Sequence, residues 1–307
     1  MADLKNDFSW SPSRNNTFQD CARRYYYQYY LSWGGWNARA EKRSRRAYVL
    51  KNLKSRQMWA GTKVHAAIER CLNNLVRGIK ILPPEESIEI TLEEMRREFA
   101  SSRDGRYLED PKREPGLVEH HYKENIPASA WRDNADLVRR CLGRFYTLPL
   151  FDHLRTMPKE NFIEIERLTS FEFEGTKIWV VLDLFYRDGD SKVIVDWKTG
   201  KAGDRPAPLQ LATYAMYAQK VHGFKVADLR GCEVNLQHGV DLAYDVSESE
   251  AEHTKATLRG CIKDMKSLLV DEINNVPIAE EGFALARDES SCRFCNFKEI
   301  CPKFAKN

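Results

Sequence analysis

Two neighbouring apolar segments, separated by a turn signal, constrain the fold of this chain more than any other feature. Residues 177–187 and 191–198 are rich in β-branched and aromatic side chains, and an Asp-Gly pair lies between them. This pattern predicts two antiparallel strands joined by a tight turn. We centre the turn on Gly189 and Asp190. That choice fixes the register, because a slip of one residue would move every side chain to the opposite face.

In this register two aspartates oppose each other. Arg187 faces Lys192 and Asp183 faces Asp196, and directly opposed residues have Cα atoms roughly 4.5–5.5 Å apart. Lys198 points to the same face, since it lies two residues beyond Asp196. Carboxylates within apolar strands need a cation, and a divalent ion with oxygen ligands is suitable. The alternative is that each aspartate is solvated near a strand end, with Lys198 as an ordinary salt-bridge partner.

The rest of the pattern predicts an α/β protein with a largely mixed sheet. Further strands are expected over residues 162–167, 170–174, 232–237 and 242–246. Helices are expected over residues 12–31, 39–58, from Gly61 onwards, 208–221 and 248–273. Residues 79–158 read as a helical insertion. We divide the chain into a basic, aromatic N-terminal helical segment (1–60), a core that includes the insertion (61–275) and a C-terminal cysteine segment (276–307).

The positive charge is concentrated near the N-terminus. The whole chain has a formal net charge of +3, but residues 1–60 contain twelve Lys and Arg against four Asp and Glu. Seven aromatic residues lie between residues 25 and 36. Cations can bind phosphates and rings can stack on bases, so this segment is a candidate nucleic-acid surface. The alternative is a solvated basic helix beside aromatic residues that pack in the core.

The eight cysteines fall into two groups. Four are isolated in apolar patterns and are expected to be core thiols: Cys71, Cys141, Cys232 and Cys261. Cys292, Cys295 and Cys301 form a C-x2-C-x5-C motif, which allows several thiolates to converge on one metal centre. Cys21 is the best candidate for a fourth ligand, because it lies in a cationic stretch that favours a thiolate.

The composition agrees with a globular protein, since 42% of the 307 residues are hydrophobic. No stretch of eighteen apolar residues could form a membrane-spanning helix. The N-terminal sequence also lacks the basic flank and the apolar run of a secretory signal. We therefore expect a cytoplasmic protein with no membrane partner.

Taken together, these motifs resemble the PD-(D/E)xK nuclease superfamily, and more specifically its RecB-like branch with an iron–sulfur cluster. CRISPR-adaptation exonucleases and AddB-type nuclease domains belong to that branch. The matching motifs, in chain order, are Ser11-Pro12-Ser13-Arg14 with Cys21, Gly61-x3-His65, Asp183 with Asp196-Trp197-Lys198, Gln210-x3-Tyr214, and the terminal cysteine motif. The resemblance implies a restriction-endonuclease-like core with a mixed central sheet flanked by helices, and a cysteine-ligated cluster that joins the chain ends. Residues 79–158 are not covered by it.

The resemblance also implies roles for individual residues. Mg²⁺ or Mn²⁺ would be bound by His65, Asp183, Asp196 and the backbone carbonyl of Trp197, while Lys198 would position the attacking water. Gln210 and Tyr214 would lie near the active site and bind the substrate strand. Glu164 and Glu166 are expected to be structural or solvated, and Lys201 is either a phosphate contact or a solvated lysine.

The cysteine motif has two possible occupants. The resemblance implies a [4Fe-4S] cluster on Cys21, Cys292, Cys295 and Cys301, with a structural role. The spacing of the cysteines also fits a four-cysteine zinc site.

The resemblance predicts a metal-dependent exonuclease that hydrolyses phosphodiester bonds of single-stranded DNA or of DNA ends. A helicase, an integrase or a defence-complex protein is the expected kind of protein partner. A second hypothesis is a DNA-binding or adaptor subunit of a repair, CRISPR or defence complex, whose nuclease is silent without its partner.

Overall fold

The computed structural model describes residues 4–200, 208–245 and 247–304. Lys201 lies outside these residues. None of the described helices combines the length and the apolar character that crossing a membrane requires.

The N-terminal part is mainly helical and contributes one short strand to the sheet. Its elements are β1 (Ser9–Trp10), α1 (Pro12–Asp20), α2 (Ala22–Tyr26), one π-helical turn (Tyr27–Leu31), α3 (Lys42–Asn52) and α4 (Arg56–Arg77). Ser11 caps α1, and its side chain accepts a hydrogen bond from the Arg14 backbone N–H at 3.1 Å. The single helix predicted over residues 12–31 is broken at Cys21, whose extended backbone (φ −167°) separates α1 from α2.

Helix α4 begins five residues earlier than the sequence pattern indicated. Gly61 is an interior residue of α4 rather than the residue before it. The expected domain boundary at residues 60/61 therefore falls within a continuous helix. Ser55 caps this helix through a hydrogen bond from the Met58 backbone N–H.

The insertion is helical, as the sequence pattern predicted. It consists of α5 (Pro84–Arg103), α6 (Val118–His121), α7 (Ala128–Thr147) and α8 (Pro149–Thr156). Polar contacts attach α5 to α4: Lys63 Nζ lies 2.7 Å from Glu94 and 2.9 Å from Glu98, and the Trp59 indole donates to Glu98 at 2.6 Å. The insertion is thus fastened to the helix that carries His65.

The remaining elements build the sheet and its second helical layer. They are β2 (Phe162–Phe173), β3 (Thr176–Asp188), β4 (Ser191–Lys198), α9 (Pro208–His222), β5 (Leu229–Asn235), β6 (Val240–Asp245), α10 (Glu248–Lys266), β7 (Leu269–Asp271), β8 (Val276–Pro277) and α11 (Ser290–Arg293). Two predicted strands, 162–167 and 170–174, form the single strand β2. The helix predicted to reach residue 273 ends at Lys266, and β7 and β8 pair after it.

The central sheet is mixed and has helices on both faces, which confirms the predicted fold class. The strand order is β1-β3-β4-β5-β6, and β2 pairs with the other edge of β3. The β1–β3 and β4–β5 pairs are parallel, and the other pairs are antiparallel. One apolar cluster packs α4 and α7 against one face, and another packs α9 and α10 against the opposite face.

The predicted register of the hairpin is correct. Arg187 pairs with Lys192 and Leu184 pairs with Val195. The ladder ends there, so Asp183 and Asp196 form no backbone pair. Instead, the Asp183 carboxylate accepts a hydrogen bond from the Trp197 backbone N–H at 2.7 Å. The sheet therefore opens between β3 and β4 at the two aspartates.

The even-numbered side chains of β3 also change from one face of the sheet to the other at Asp183. Val180 and Leu182 belong to the cluster under α9, whereas Leu184 and Tyr186 belong to the cluster under α4. In a regular strand, all four side chains would share one face. On β2, Glu166 lies between Ile165 and Arg167, which pair with the two neighbours of Asp183, and its backbone is left-handed (φ +46°). This change of face brings the carboxylates of Asp183 and Glu166 to the edge of the layer that α4 forms.

Most of the N-terminal tyrosines pack in the core. Tyr25 and Tyr27 are each 1% exposed, and Tyr26 and Tyr30 contact Phe283. The alternative given above for the aromatic run, core packing, is therefore correct for these rings. Only Trp33 and Trp36 are exposed among the aromatic residues of that run.

Candidate metal and nuclease site

Helix α4 presents His65 to the opened sheet. A Cβ atom on Gly61, one turn earlier, would lie 2.9 Å from Thr199 Oγ1, so a larger residue would require either the Thr199 side chain or the helix to shift. The absence of a side chain at Gly61 therefore allows α4 to approach the strand that carries Asp196 and Lys198. His65 follows on the same helix and points to β2 and β3.

Three potential metal ligands converge here. His65 Nδ1 lies 2.9 Å from Glu166 Oε1 and 3.6 Å from Asp183 Oδ2. One ligand atom from each of these side chains lies within 4.8 Å of the others. An imidazole and two carboxylates suit a divalent cation such as Mn²⁺ or Mg²⁺. The donor set thus fits the ion that the sequence analysis expected.

A second group of side chains lies beside these three. Asp196 is 4% exposed, and its two carboxylate oxygens contact Gln210 Nε2 at 3.0 Å and Lys198 Nζ. Gln210 also donates to the Tyr214 hydroxyl at 2.7 Å, and Lys198 Nζ lies 3.5 Å from Gln210 Oε1. The four residues therefore form one hydrogen-bonded network on β4 and α9.

The surroundings of Asp183 and His65 raise the pKa of both groups in the metal-free chain. Burial raises the pKa of Asp183, and the neighbouring charges of Asp196 and Glu166 raise it further against the lowering effect of His65. Burial alone would lower the pKa of His65. The hydrogen bond to Glu166 and the charge of Asp183 outweigh burial, so the net pKa of His65 is raised. A divalent ion would replace these protons.

The structure thus brings most of the expected site residues together. His65 and Asp183 are in direct reach of each other, whereas both oxygens of Asp196 are held by Lys198 and Gln210. The side chain of Trp197 is buried and its ring packs against Phe145, while its backbone N–H orients Asp183. Ligation by Asp196 and by the Trp197 carbonyl remains a prediction.

Glu166 is the site residue that the sequence interpretation missed. It was expected to be structural or solvated, but it hydrogen-bonds His65 and completes the three-ligand group. Glu164, by contrast, is structural, since it is buried and accepts hydrogen bonds from Tyr217 and His222. Alternation along β2 would place both glutamates on one face, and the left-handed backbone of Glu166 separates them.

The four candidate cluster cysteines lie together at the contact between the chain ends. Cys21, Cys292, Cys295 and Cys301 line a common cavity with Arg23, Arg24 and Lys303. Backbone N–H groups point at two of the sulfur atoms: Arg24 N lies 3.4 Å from Cys21 Sγ, and Phe297 N lies 3.5 Å from Cys295 Sγ. Hydrogen bonds and cations of this kind stabilise metal-bound thiolates.

Comparison with known proteins identifies the family of this chain. A family model described as the PD-(D/E)XK nuclease superfamily matches residues 9–302. A search of curated proteins gave no match. Among solved structures, "Crystal structure of SSO0001" aligns over 62% of this chain and 80% of its own chain, with 19% sequence identity and a TM-score of 0.32.

Proposed function

Because the chain belongs to the PD-(D/E)XK nuclease superfamily, whose members are metal-dependent nucleases, we propose that it is an exonuclease acting on single-stranded DNA or on DNA ends. The exonuclease assignment and the preference for single strands or ends rest on the resemblance of the motifs to the RecB-like branch. The observation that carries the proposal is the convergence of His65, Glu166 and Asp183 beside the Asp196–Lys198 pair.

The proposal gives each residue a task. His65, Asp183 and Glu166 would hold a divalent ion, with Asp196 and the Trp197 carbonyl as further ligands. When bound, this ion would polarise the scissile phosphate and offset the negative charge that develops in the transition state. Lys198 is held by Asp196 and lies close to Gln210, so its ammonium group can orient a water molecule toward phosphorus. Gln210 and Tyr214, which the resemblance assigns to binding the substrate strand, would instead keep the lysine and Asp196 in place.

Labelled DNA provides the direct test. Single-stranded, blunt and overhanging oligonucleotides carrying a label at either end are incubated with Mn²⁺ or Mg²⁺. Stepwise shortening from an end supports an exonuclease. Internal cuts in circular single-stranded DNA would instead indicate an endonuclease of the same superfamily, and they would overturn this part of the proposal.

The adaptor hypothesis makes a different prediction from the same experiment. If the nuclease is silent without a helicase, an integrase or a defence-complex protein, the isolated chain binds DNA but does not cleave it with any divalent metal. Binding would then survive the Lys198→Ala substitution. The complete His65–Glu166–Asp183 group and the engaged Lys198 favour the active enzyme.

We also propose that the four cysteines hold a structural [4Fe-4S] cluster. This proposal is supported by the resemblance of the motifs and by the position of the four cysteines, which line one cavity together with Arg23, Arg24 and Lys303. The volume of the cavity, about 20 Å³, is one observation that favours the smaller zinc ion. Iron and sulfide analysis of anaerobically purified protein decides between them, and zinc without iron would contradict the cluster.

A further inference from the structure

A wide groove lies between the N-terminal segment and the hairpin end of the β2–β3 pair, several residues along these strands from the metal site. Its cavity volume is about 820 Å³, and its lining includes Arg14, Trp33, Ser170, Lys177 and Trp179. The site residues His65, Glu166 and Asp183 do not line it. The groove is therefore a neighbouring surface rather than part of the metal site.

Strand β3 connects the groove to the metal site. Ile178, Val180 and Leu182 point into the core under α9, so Lys177, Trp179 and Val181 point to the opposite face. The exposed Lys177 and the half-buried Trp179 and Val181 leave this face open to solvent. Asp183 follows immediately. At about 3.3 Å per residue, Lys177 and Asp183 are roughly 20 Å apart along the strand.

Strand β2 continues the same open face. Ser170 pairs with Trp179 and Leu168 pairs with Val181. The next residue on this side is Glu166, whose carboxylate lies close to that of Asp183. The side chain of Leu168 is 63% exposed although it lies in the middle of a strand. Helix α4 packs on this side of the sheet beyond the metal site, where Leu184 and Tyr186 belong to its apolar cluster. The open face thus ends where the metal ligands begin.

The groove combines cations with flat rings. Lys177 Nζ lies 4.3 Å from the centre of the Trp179 ring, and Arg14 Cζ lies 4.2 Å from the centre of the Tyr29 ring. Trp33 is 36% exposed and packs edge-on against Trp36. Two acids, Asp7 and Glu172, also line the groove, and Lys5 lies 3.6 Å from Asp7. The lining therefore carries three cations and two acids.

From this arrangement we propose that the β2–β3 face is a track for single-stranded DNA, with Trp179 as a base-stacking platform and Lys177 and Arg14 as phosphate contacts. The proposal rests on the nuclease function proposed above and adds the path by which the strand reaches the metal. Unpaired bases have free faces that can stack on Trp179 and Trp33, whereas the bases of a duplex are already stacked. The continuity of the face with Asp183 argues for a substrate strand rather than for a protein partner.

Equilibrium binding tests the track without any cleavage. The full chain is titrated against a fluorescein-labelled 20-nucleotide oligo-dT in EDTA, and anisotropy is recorded. Trp179→Ala should weaken binding about tenfold or more, and Trp179→Phe should restore most of the affinity because a ring remains available. Lys177→Ala should reduce the slope of log Kd against log salt concentration by about 1, as expected for the loss of one phosphate contact. Lys263→Ala, an exposed lysine on α10 on the opposite side of the sheet, is the matched control and should bind as the wild type does.

The outcomes separate the two proposals. The thermal midpoint and the Mn²⁺ affinity of each variant report whether its fold and metal site are intact. If Trp179→Ala is intact and binds oligo-dT as tightly as the wild type, the track is wrong, whether or not the protein cleaves DNA. If Trp179→Ala loses binding while the wild type shows no cleavage, the track stands and the nuclease proposal fails. An equal loss of oligo-dT affinity in Trp179→Ala and Trp179→Phe would also contradict the role of Trp179 as a stacking platform.

Discussion

Replacing Glu166 by Gln tests the residue that the structure adds to the site. Glutamine keeps the shape of the side chain but removes its charge and weakens its contact with His65. At an effective dielectric constant of about 20, two unit charges 2.9 Å apart attract by roughly 6 kcal/mol. Desolvation of both groups offsets most of this energy. We expect Mn²⁺ affinity to fall about 10–100-fold, or about 1.4–2.7 kcal/mol, as for other carboxylates that support a metal site.

Two measurements and one control complete this experiment. Calorimetry gives the Kd for Mn²⁺, and NMR titration of the metal-free protein gives the pKa of His65. That pKa should fall in Glu166→Gln, because the hydrogen bond to Glu166 raises it in the wild type. Glu172→Gln is the control, since Glu172 lies exposed on the same strand and away from His65. An unchanged Kd together with an unchanged His65 pKa in Glu166→Gln would refute the assignment of Glu166 to the site.

Three further predictions concern the protons of Asp183 and His65, the contacts of Gln210, and the contacts of Arg23. Because the pKa values of Asp183 and His65 are both raised, these groups must lose protons when the metal binds. Mn²⁺ affinity should therefore rise with pH through neutrality, and calorimetry in buffers of different ionisation enthalpy should show proton release. Gln210→Ala removes the contacts that hold Asp196 and Lys198. The cleavage rate in a single-turnover assay should fall by up to about 100-fold, while DNA affinity in a binding assay should change little. Arg23→Ala removes an ion pair with Glu280 at 3.3 Å and a hydrogen bond to the Phe283 carbonyl at 3.0 Å. Glu280 keeps its ion pair with Arg43 at 2.7 Å, so urea unfolding should show a loss of about 1.5–3 kcal/mol. A loss below about 0.5 kcal/mol would contradict the view that these contacts of Arg23 join the two ends of the chain.

The sequence predicts the hairpin well because strand alternation and turn chemistry are local. The segments flanking Gly189 each have one strongly apolar pattern, so only one register buries both. That register correctly places Leu184 opposite Val195. It cannot show that the ladder ends at this pair, because the Trp197 backbone N–H donates to the Asp183 side chain instead of to a backbone carbonyl of β3. This contact exists only once the two strands have separated.

Glu166 could not be identified from the sequence for a related reason. Glutamate rarely adopts a left-handed backbone, and nothing in residues 162–173 signals that conformation. Strand alternation therefore gives Glu164 and Glu166 the same environment, although one is buried in the core and the other contacts His65. The tyrosine run does not by itself indicate a binding surface, because the number of aromatic residues does not reveal which face of the helix packs against Phe283.

Cleavage of end-labelled DNA with Mn²⁺ tests the central claim most directly. We predict that the wild-type protein shortens single-stranded DNA from an end, that Asp183→Asn and Lys198→Ala lose at least about 100-fold in rate, and that Lys263→Ala retains wild-type activity. Folded wild-type protein that cleaves no DNA with either metal, or full activity in Asp183→Asn and Lys198→Ala, would contradict the account.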